Sequence, residues 1–269
     1  MHGTYEIPRL SADQMTAGLE AVTARLLRTL TVYDELASTN LWLKAQAGGA
    51  GATVVLAERQ TAGRGRRGKS WHSPACHNLY LSLDWVFAAR PDQLAGLSLG
   101  VGIKLAEVLA PRLQHPPGLK WPNDLFIDGQ KLAGILIESI PDPTGHTRVI
   151  IGVGLNVLMQ GEQRIDQPWT SLVHHVKDPA LLNRNTLASL FLNALLPFLD
   201  HYLEQGDRYI QQHWSDHDLT RGQPVEVLSG ETRVQGIGDG IDEQFRFRMR
   251  CHDGCQRSFS SGDISLRLR

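Results

Sequence analysis

Apolar residues recur three or four positions apart at Met15, Leu19, Val22, Leu26 and Leu30, behind a capping-box pair of Ser11 and Gln14. That spacing predicts a helix over 11–30. "STNLWLKAQA" predicts a short second helix opened by Ser38 or Thr39 and ended by the Gly48-Gly49-Ala50-Gly51 stretch, before a β-branched strand over Thr53–Ala57. From Asn78 to Trp85 the pattern changes to period two, with Leu79, Leu81 and Leu83 alternating with Tyr80, Ser82 and Asp84. This reads as a half-buried strand. Leu94, Leu97, Val101, Leu105 and Val108 mark a long amphipathic helix stopped near Pro111. "LKWPNDLFIDGQKLAGILIES" holds two strand-like runs around the favoured hairpin turn Asp128-Gly129, and "RVIIGVGLNV" supplies another strand. Hairpins imply an antiparallel or mixed sheet.

Leu187, Leu190, Phe191, Ala194, Phe198 and Tyr202 share one face of a helix over Thr186–Tyr202, with further helix to about Trp214. Past Leu219 short alternating runs such as "QPVEV" and "QFRFRMR" are punctuated by Gly222, Gly230, Gly240 and Gly254. They predict a small β-barrel of about fifty residues, large enough to fold alone. The boundary falls near Asp218, giving domains 1–218 and 219–269.

Composition narrows the class. A chain of 269 residues accommodates one large domain, or a large and a small one, at roughly 150 residues each. With 42% hydrophobic residues, 20% charged residues and a net charge of -1, it lacks the basic excess of a dedicated nucleic-acid binder. Cys76, Cys251 and Cys255 are too few and too scattered for a disulfide framework, which favours a reducing compartment and predicts a cytoplasmic protein. No apolar run reads as a membrane span, and Glu6 and Asp13 stand where a signal peptide needs a basic and then an apolar segment.

The strongest local chemistry lies in "AERQTAGRGRRGKSWHSPACHNLYLSL". Gly63, Gly65 and Gly68 spell G-x-G-x-x-G, and Gly63, Gly68, Lys69 and Ser70 spell the P-loop pattern. Both require a helix directly after the glycines. Pro74 disfavours helix at Ser73, and the strand from Asn78 leaves no room for one. A Rossmann reading therefore fails although Asp84 stands near the distance of a ribose-binding acid. What survives is Arg64, Arg66, Arg67 and Lys69 within six residues. Mutually repelling cations on a pliable loop predict mobility until an anion binds, when guanidinium forks make charge-assisted bonds to phosphate or carboxylate. The alternative is a solvated basic turn. His213 and His217 carry Trp214 where a zinc protease needs Glu, His174-His175 reads as loop, and Cys251, His252 and Cys255 flank a β-turn at Asp253-Gly254. No structural zinc is expected.

Five segments in order resemble the biotin protein ligases of the bacterial type: "STN" at Ser38–Asn40, "QTAGRGRRGKSW" at Gln60–Trp71, "KWPNDL" at Lys120–Leu125, "KLAGILIE" at Lys131–Glu138 and "GVGLNV" at Gly152–Val157. The similarity covers nearly the whole chain, including the closing "GDISLRLR". It implies an α+β fold: a catalytic domain like that of class II aminoacyl-tRNA synthetases, with a mixed or antiparallel sheet and helices, joined to a C-terminal SH3-like β-barrel. It implies a two-step reaction. Biotin and ATP form biotinyl-5'-adenylate and pyrophosphate, and the acyl group then passes to a lysine of a biotin carboxyl carrier protein. Adenylation joins two anions, so cations are needed at the junction.

The resemblance makes Lys131, Arg64 and Arg66 the catalytic set, with Lys131 beside the biotin carboxylate and α-phosphate. Biotin is expected to meet Ser38, Thr39, Asn40, Gln60, Gly63, Arg64, Gly65, Arg66, Lys131 and Gly134. The neutral groups among them suit a ureido ring, with helix capping a second role for Ser38 or Thr39. Ile135 and Leu136 extend an apolar wall. ATP and the adenylate are expected at Trp71, Lys120, Asn123, Asp124, Gly154, Asn156, Trp169 and Arg267. Gly152 and Gly154 let a ligand approach the backbone, and Trp71 and Trp169 close over the adenylate. Lys120, Asn123 and Asp124 serve pyrophosphate or its magnesium, or form a turn around Pro122.

Thirty-seven residues precede Ser38, too few for the DNA-binding domain of some relatives, so no DNA binding and no membrane association are expected. A homodimer is compatible with exposed sheet edges. Two rivals stay open: a lipoate ligase, sharing the fold and adenylation, and a non-catalytic biotin sensor or DNA-binding regulator.

Overall fold

In the computed structural model residues 8–141, 143–161, 163, 165–229, 232–251, 253–262 and 265–268 are described; Glu6, Gly230 and His252, invoked above, lie outside them. The helix expected over 11–30 is two short helices and the start of a strand. α1 (Ala12–Ala17) is capped by Ser11, whose Oγ accepts from Gln14 N at 3.3 Å. It ends at Gly18, whose N–H reaches back to Met15 and Thr16. α2 (Ala21–Leu26) runs straight into β1 (Leu27–Leu36). Thr29, Thr31 and Val32 there join a parallel ladder with β2 (Ala52–Gln60). Long-range pairing of β-branched residues thus overrides the local helical period.

α3 (Thr39–Lys44) follows Ser38, which sits at its N-cap in extended geometry but makes no side-chain capping bond. The helix ends at Ala45, ahead of the glycines expected to stop it. β3 (Leu79–Phe87) corrects the half-buried expectation: Tyr80, Ser82 and Asp84 are as buried as the leucines between them. Asp84 accepts from Thr53 N at 2.8 Å and from Arg148 Nε and Nη2 at 2.9 and 2.7 Å, a structural ion pair that occupies the acid of the Rossmann pattern.

α4 (Leu97–Leu109) continues at both ends into 3-10 turns, and the stretch Pro91–Arg112 is long and apolar enough to cross a membrane, with a mean hydropathy of 1.5. This corrects the expectation that no run reaches that length. Its apolar window is 61% buried inside the protein, so packing against the sheet accounts for its composition. β4 (Gly118–Lys120), β5 (Asp124–Ile127), β6 (Gln130–Pro141) and β7 (Thr147–Leu155) follow. The turn between β5 and β6 has positive φ at both Asp128 (49°) and Gly129 (76°), the geometry for which Asp-Gly is suited. α5 (Arg184–Asp200) connects through a π-turn, Tyr202–Gly206, to α6 (Asp207–His217).

The seven strands order as β1-β2-β3-β7-β6-β5-β4, all antiparallel except β1 with β2. One face carries the main core under α1, α2, α4, α5 and α6. α3 packs over the opposite face, seating Leu43 on Val55 and Ile150. Beside α3 that second face opens into a cleft.

The C-terminal strands β8 (Pro224–Ser229), β9 (Thr232–Ile241), β10 (Phe247–Cys251), β11 (Gln256–Phe259) and β12 (Ser265–Leu268) form an antiparallel sheet in the order β11-β10-β9-β8-β12. Among the described residues no closed barrel forms, which corrects the SH3-like expectation: β11 and β12 stand at opposite edges and do not pair. Alternation identified the strands, but closure depends on pairing the two edges. The apolar face is covered by the rest of the protein instead, with Trp121 and the helices α4 and α6 against it. Trp121 stacks on Phe247 at 5.7 Å and donates Nε1 to Phe245 O at 3.1 Å. Val225, Phe247, Met249 and Leu266 belong to the main core, so the sheet gains burial without curling on itself.

Candidate functional site

Strand register builds the floor of the cleft. Tyr80, Gly154 and Gly134 are partners across β3, β7 and β6, and Ser82, Gly152 and Leu136 form the next row; the row after that, Asp84, Ile150 and Glu138, lies outside the cleft. Three glycines at the centre leave backbone exposed where side chains would stand. The resulting cleft measures about 880 Å³.

One end is neutral and rich in hydrogen-bonding groups. Ser38, Thr39 and Asn40 enter from the start of α3, Gln60 from the end of β2 and Ser82 from β3. Gln60 Oε1 accepts from Thr39 N at 2.9 Å, and its Nε2 donates to Ser73 Oγ at 3.0 Å. Ser82 Oγ lies 2.7 Å from Thr39 Oγ1 and 2.6 Å from Asn40 Oδ1. Asn40 Nδ2 donates to Leu136 O at 3.3 Å and Glu138 Oε2 at 3.1 Å. Its amide is largely committed to the protein, whereas the Ser38 hydroxyl caps nothing and faces the cleft.

The other end is cationic. Arg66, Arg67, Lys69, Lys120, Lys131 and Arg267 line it against the carboxylates Asp124 and Asp166, while Arg64, the seventh cation of the cleft, reaches back to Glu138 beside Asn40. In a chain of net charge -1, six cations facing two carboxylates concentrate positive potential in one place. Lys131 Nζ is 2.8 Å from Asp124 Oδ1 and 5.3 Å from the Trp71 ring centre. Burial lowers the Lys120 ammonium below the usual lysine value, Asp124 opposing, and Lys131, Lys69 and Arg267 lower it further. Burial likewise lowers Arg66, again with Asp124 opposing. A bound anion relieves both the desolvation and the mutual repulsion.

The glycine-rich loop is a compact turn. Arg64 and Ser70 form an antiparallel bridge, Gly65 N donates to Lys69 O at 2.7 Å, and Arg67 and Gly68 take positive φ. Arg66 Nη1 reaches Asn123 Oδ1 at 3.3 Å, and Arg66 also donates to Ser261 O in the C-terminal segment. Trp71 lies over Gly154 and Gly134: a Cβ at Gly154 would stand 2.6 Å from its ring, and one at Gly134 3.1 Å away.

Of the residues expected from the sequence, Ser38, Thr39, Asn40, Gln60, Arg64, Gly65, Arg66, Trp71, Lys120, Asn123, Asp124, Lys131, Gly134, Gly154 and Arg267 meet in this one cleft. Gly63 lies behind it, where a Cβ would press on Ser73 and Trp71. Asn156 is buried behind the wall, donating to Thr170 O at 3.0 Å and holding the segment that pairs with Lys131. Trp169 faces a smaller recess with His174 and His175. Sequence reasoning did not find Tyr80, Ser82, Asp166 or Gln167. The period-two pattern placed Tyr80 and Ser82 on a solvent face, and only an unusually polar strand face beside paired glycines hinted otherwise.

Gly152→Ala is expected to be costly. Its Cβ would collide with the Asn40 amide, which Ser82, Leu136 and Glu138 hold in place. Such overpacking costs about 1–3 kcal/mol, to be read as a lower urea midpoint at unchanged m. At Gly154 the obstructing group is a loop tryptophan, so Gly154→Ala should move Trp71 and leave stability nearly unchanged. Equal midpoints for Gly152→Ala and the unmodified chain would remove the steric explanation.

Residues 35–156 match the model of the biotin/lipoate A/B protein ligase family. The bifunctional ligase/repressor BirA of Escherichia coli is 34% identical over 270 residues, covering 98% of this chain and 81% of that protein. The biotin–[acetyl-CoA-carboxylase] ligase of Mycobacterium tuberculosis is 36% identical over 247 residues, 88% of each chain. The structure of biotin protein ligase from Aquifex aeolicus in complex with biotin and ATP superposes with a TM-score of 0.72 at 28% identity, covering 90% of this chain and 100% of that one.

Proposed function

The chain belongs to the biotin/lipoate A/B protein ligase family, and from that premise we infer an ATP-dependent biotin ligase. It adenylates biotin and transfers it to a biotin-accepting carrier protein. One observation carries the assignment of groups within the cleft: a neutral hydrogen-bonding end and a cationic end share one glycine floor. The ureido ring of biotin, with two N–H donors and a carbonyl, fits the end formed by Ser38, Thr39, Gln60 and Ser82. A dithiolane ring has no partners for those groups, which disfavours the lipoate alternative.

In the first step a biotin carboxylate oxygen attacks the α-phosphorus of ATP, and the bond to the bridging oxygen breaks to release pyrophosphate. Lys131 and Arg66 stand where charge collects on the phosphoryl oxygens, and Lys120 and Lys69 where pyrophosphate leaves. In the second step the carrier lysine attacks the acyl carbon and AMP departs. The adenine half lies along Gly134 and Gly154, with Trp71 as the movable cover. Asp124 and Asp166 are the carboxylates that would hold a magnesium ion accompanying ATP, which would supply charge neutralisation at the phosphates. Among the described residues no group of three His, Cys, Asp or Glu side chains could hold it alone.

The catalytic domain is proposed to span 1–218 and the C-terminal domain 219–269, the latter contributing Arg267 to the nucleotide end. Among the described residues no strand pairs with the outer edge of β1, which suits a homodimer that sedimentation would test.

ATP–pyrophosphate exchange measured separately with biotin and with lipoate tests the function: exchange with biotin alone is expected, and exchange with lipoate alone would overturn the reading. Arg66→Gly cuts the link from the loop to Asn123 and Ser261. Pre-formed biotinyl-adenylate should leave that variant about tenfold faster, the order set by one charge-assisted hydrogen bond. Equal release from both proteins would reject a lid role for the loop.

A further inference from the structure

We propose that Glu138 is a positioning residue that divides the arginines of the loop between the two ends of the cleft, holding Arg64 at the biotin end while Arg66 and Lys131 serve the phosphates. The proposal rests on the biotin ligase reading and gives a role to a carboxylate that does not itself line the cleft. Glu138 lies on β6 opposite Ile150 of β7, with its side chain 17% exposed. Its Oε1 is 3.4 Å from both Arg64 Nη1 and Lys44 Nζ, and its Oε2 accepts from Asn40 Nδ2 at 3.1 Å. The loop and α3 therefore converge on one carboxylate.

Four loop cations beside Lys131 repel one another, and their resting places are set by the few carboxylates in reach. Asp124 takes Lys131 at the phosphate end, at 2.8 Å. Glu138 does the corresponding work at the other end for Arg64, as Asn123 and Ser261 do for Arg66. The same carboxylate fixes the Asn40 amide, whose Oδ1 then faces Ser82 in the ureido end. Without the negative charge, Arg64 is free to drift toward the phosphates and Asn40 is less firmly oriented. Both changes fall on biotin and spare ATP.

The test uses exchange kinetics on the full chain with Glu138→Gln, whose amide oxygen can still accept from Asn40 so that charge alone is removed. The Arg64 side chain is 40% exposed, so the pair is worth no more than a good surface ion pair. The KM for biotin is expected to rise about fivefold, with the KM for ATP held within about twofold and kcat little changed. Arg64→Ala, which removes a side chain of the site itself, should raise the biotin KM at least as far while sparing the ATP KM, and the double variant should resemble Arg64→Ala alone, because the two side chains act as one unit. An unchanged biotin KM, an equal rise in both KM values, or additive effects would overturn the proposal. If Glu138→Gln does not fold, as judged by its thermal transition, Arg64→Ala decides: a rise in the ATP KM instead of the biotin KM overturns the division. Biotin-independent exchange by the unmodified chain would sink the ligase reading and this inference together, whereas biotin-dependent exchange with the wrong KM pattern sinks this inference alone.

Discussion

Lys131→Ala is expected to slow biotin adenylation by on the order of a hundredfold or more, the scale seen when one preorganised charge donor is removed from a developing oxyanion. The position is rigid before substrate arrives. Lys131 N donates to Pro168 O at 3.0 Å, and its carbonyl accepts from Thr170 N at 2.9 Å, so the residue is held by the 166–170 segment. Its side chain is only 13% exposed and its ammonium is already committed to the cleft by Asp124. The loss should appear in kcat for ATP–pyrophosphate exchange, because the interaction strengthens as charge moves onto the α-phosphate. Lys131→Arg tests geometry against charge: a planar fork cannot reproduce the ammonium point charge, so partial recovery at most is expected. An exchange rate unchanged in Lys131→Ala would end its assignment to the chemical step.

The largest stability effect is expected far from that chemistry. Arg184 at the start of α5 and Glu58 on β2 are 1% and 3% exposed. Arg184 Nη1 donates to Glu58 Oε2 at 2.6 Å, its Nη2 to Pro8 O at 2.9 Å, and Leu10 N to Glu58 Oε1 at 2.6 Å. The pair ties the N-terminal segment and α5 to the sheet. Arg184→Met leaves a buried carboxylate without its counter-charge and should cost about 3–5 kcal/mol at neutral pH. Replacing both partners with apolar residues should recover much of that loss.

The pH dependence has a definite sign. Burial raises the Glu58 carboxyl, but the hydrogen bonds from Arg184 and Leu10 and the Arg184 charge outweigh it and hold the pKa below its ordinary 4.5. The stabilisation is therefore present above the unfolded value and is lost as pH falls through the lower folded one. In Arg184→Met the two Arg184 contributions are gone and only the Leu10 and Cys76 hydrogen bonds still oppose burial, so the same carboxyl rises and protonation relieves the variant first. The difference in urea midpoint between variant and parent should shrink from pH 7 toward pH 4. A constant difference over that range would show that lost packing, not charge, is responsible.

Legibility differed by type of signal. Asp128-Gly129 was readable because both turn positions need positive φ, a local requirement. The α4 and α5 helices were readable because their apolar periodicity matches the face that packs on the sheet. The 11–30 helix was misread because Leu26 and Leu30 keep a helical spacing while the chain from Leu27 pairs with β2, a partner about twenty-five residues away in sequence. The barrel was misread because strand alternation says nothing of edge pairing, and Trp121 from another part of the chain covers the apolar face. Neither error changed which residues were assigned to the site, because its motifs depend on residue type and order.

By itself the sequence determined which groups are present: a cationic loop unsuited to a P-loop, a lysine after a tight hairpin, glycines inside strands, and five segments in the order of one ligase family. Those are properties of covalent order and local conformation. Only the tertiary structure decided which of them meet. Register across β3, β7 and β6 aligned Gly134, Gly152 and Gly154 into a floor, and burial on both faces turned Tyr80 and Ser82 from apparent surface into wall. Ladder pairing and cross-sheet packing are non-local, so no window of sequence contains them. The same non-local placement set Glu138 between Arg64 and Asn40, residues 74 and 98 positions away, and so determined which arginine faces which end of the cleft.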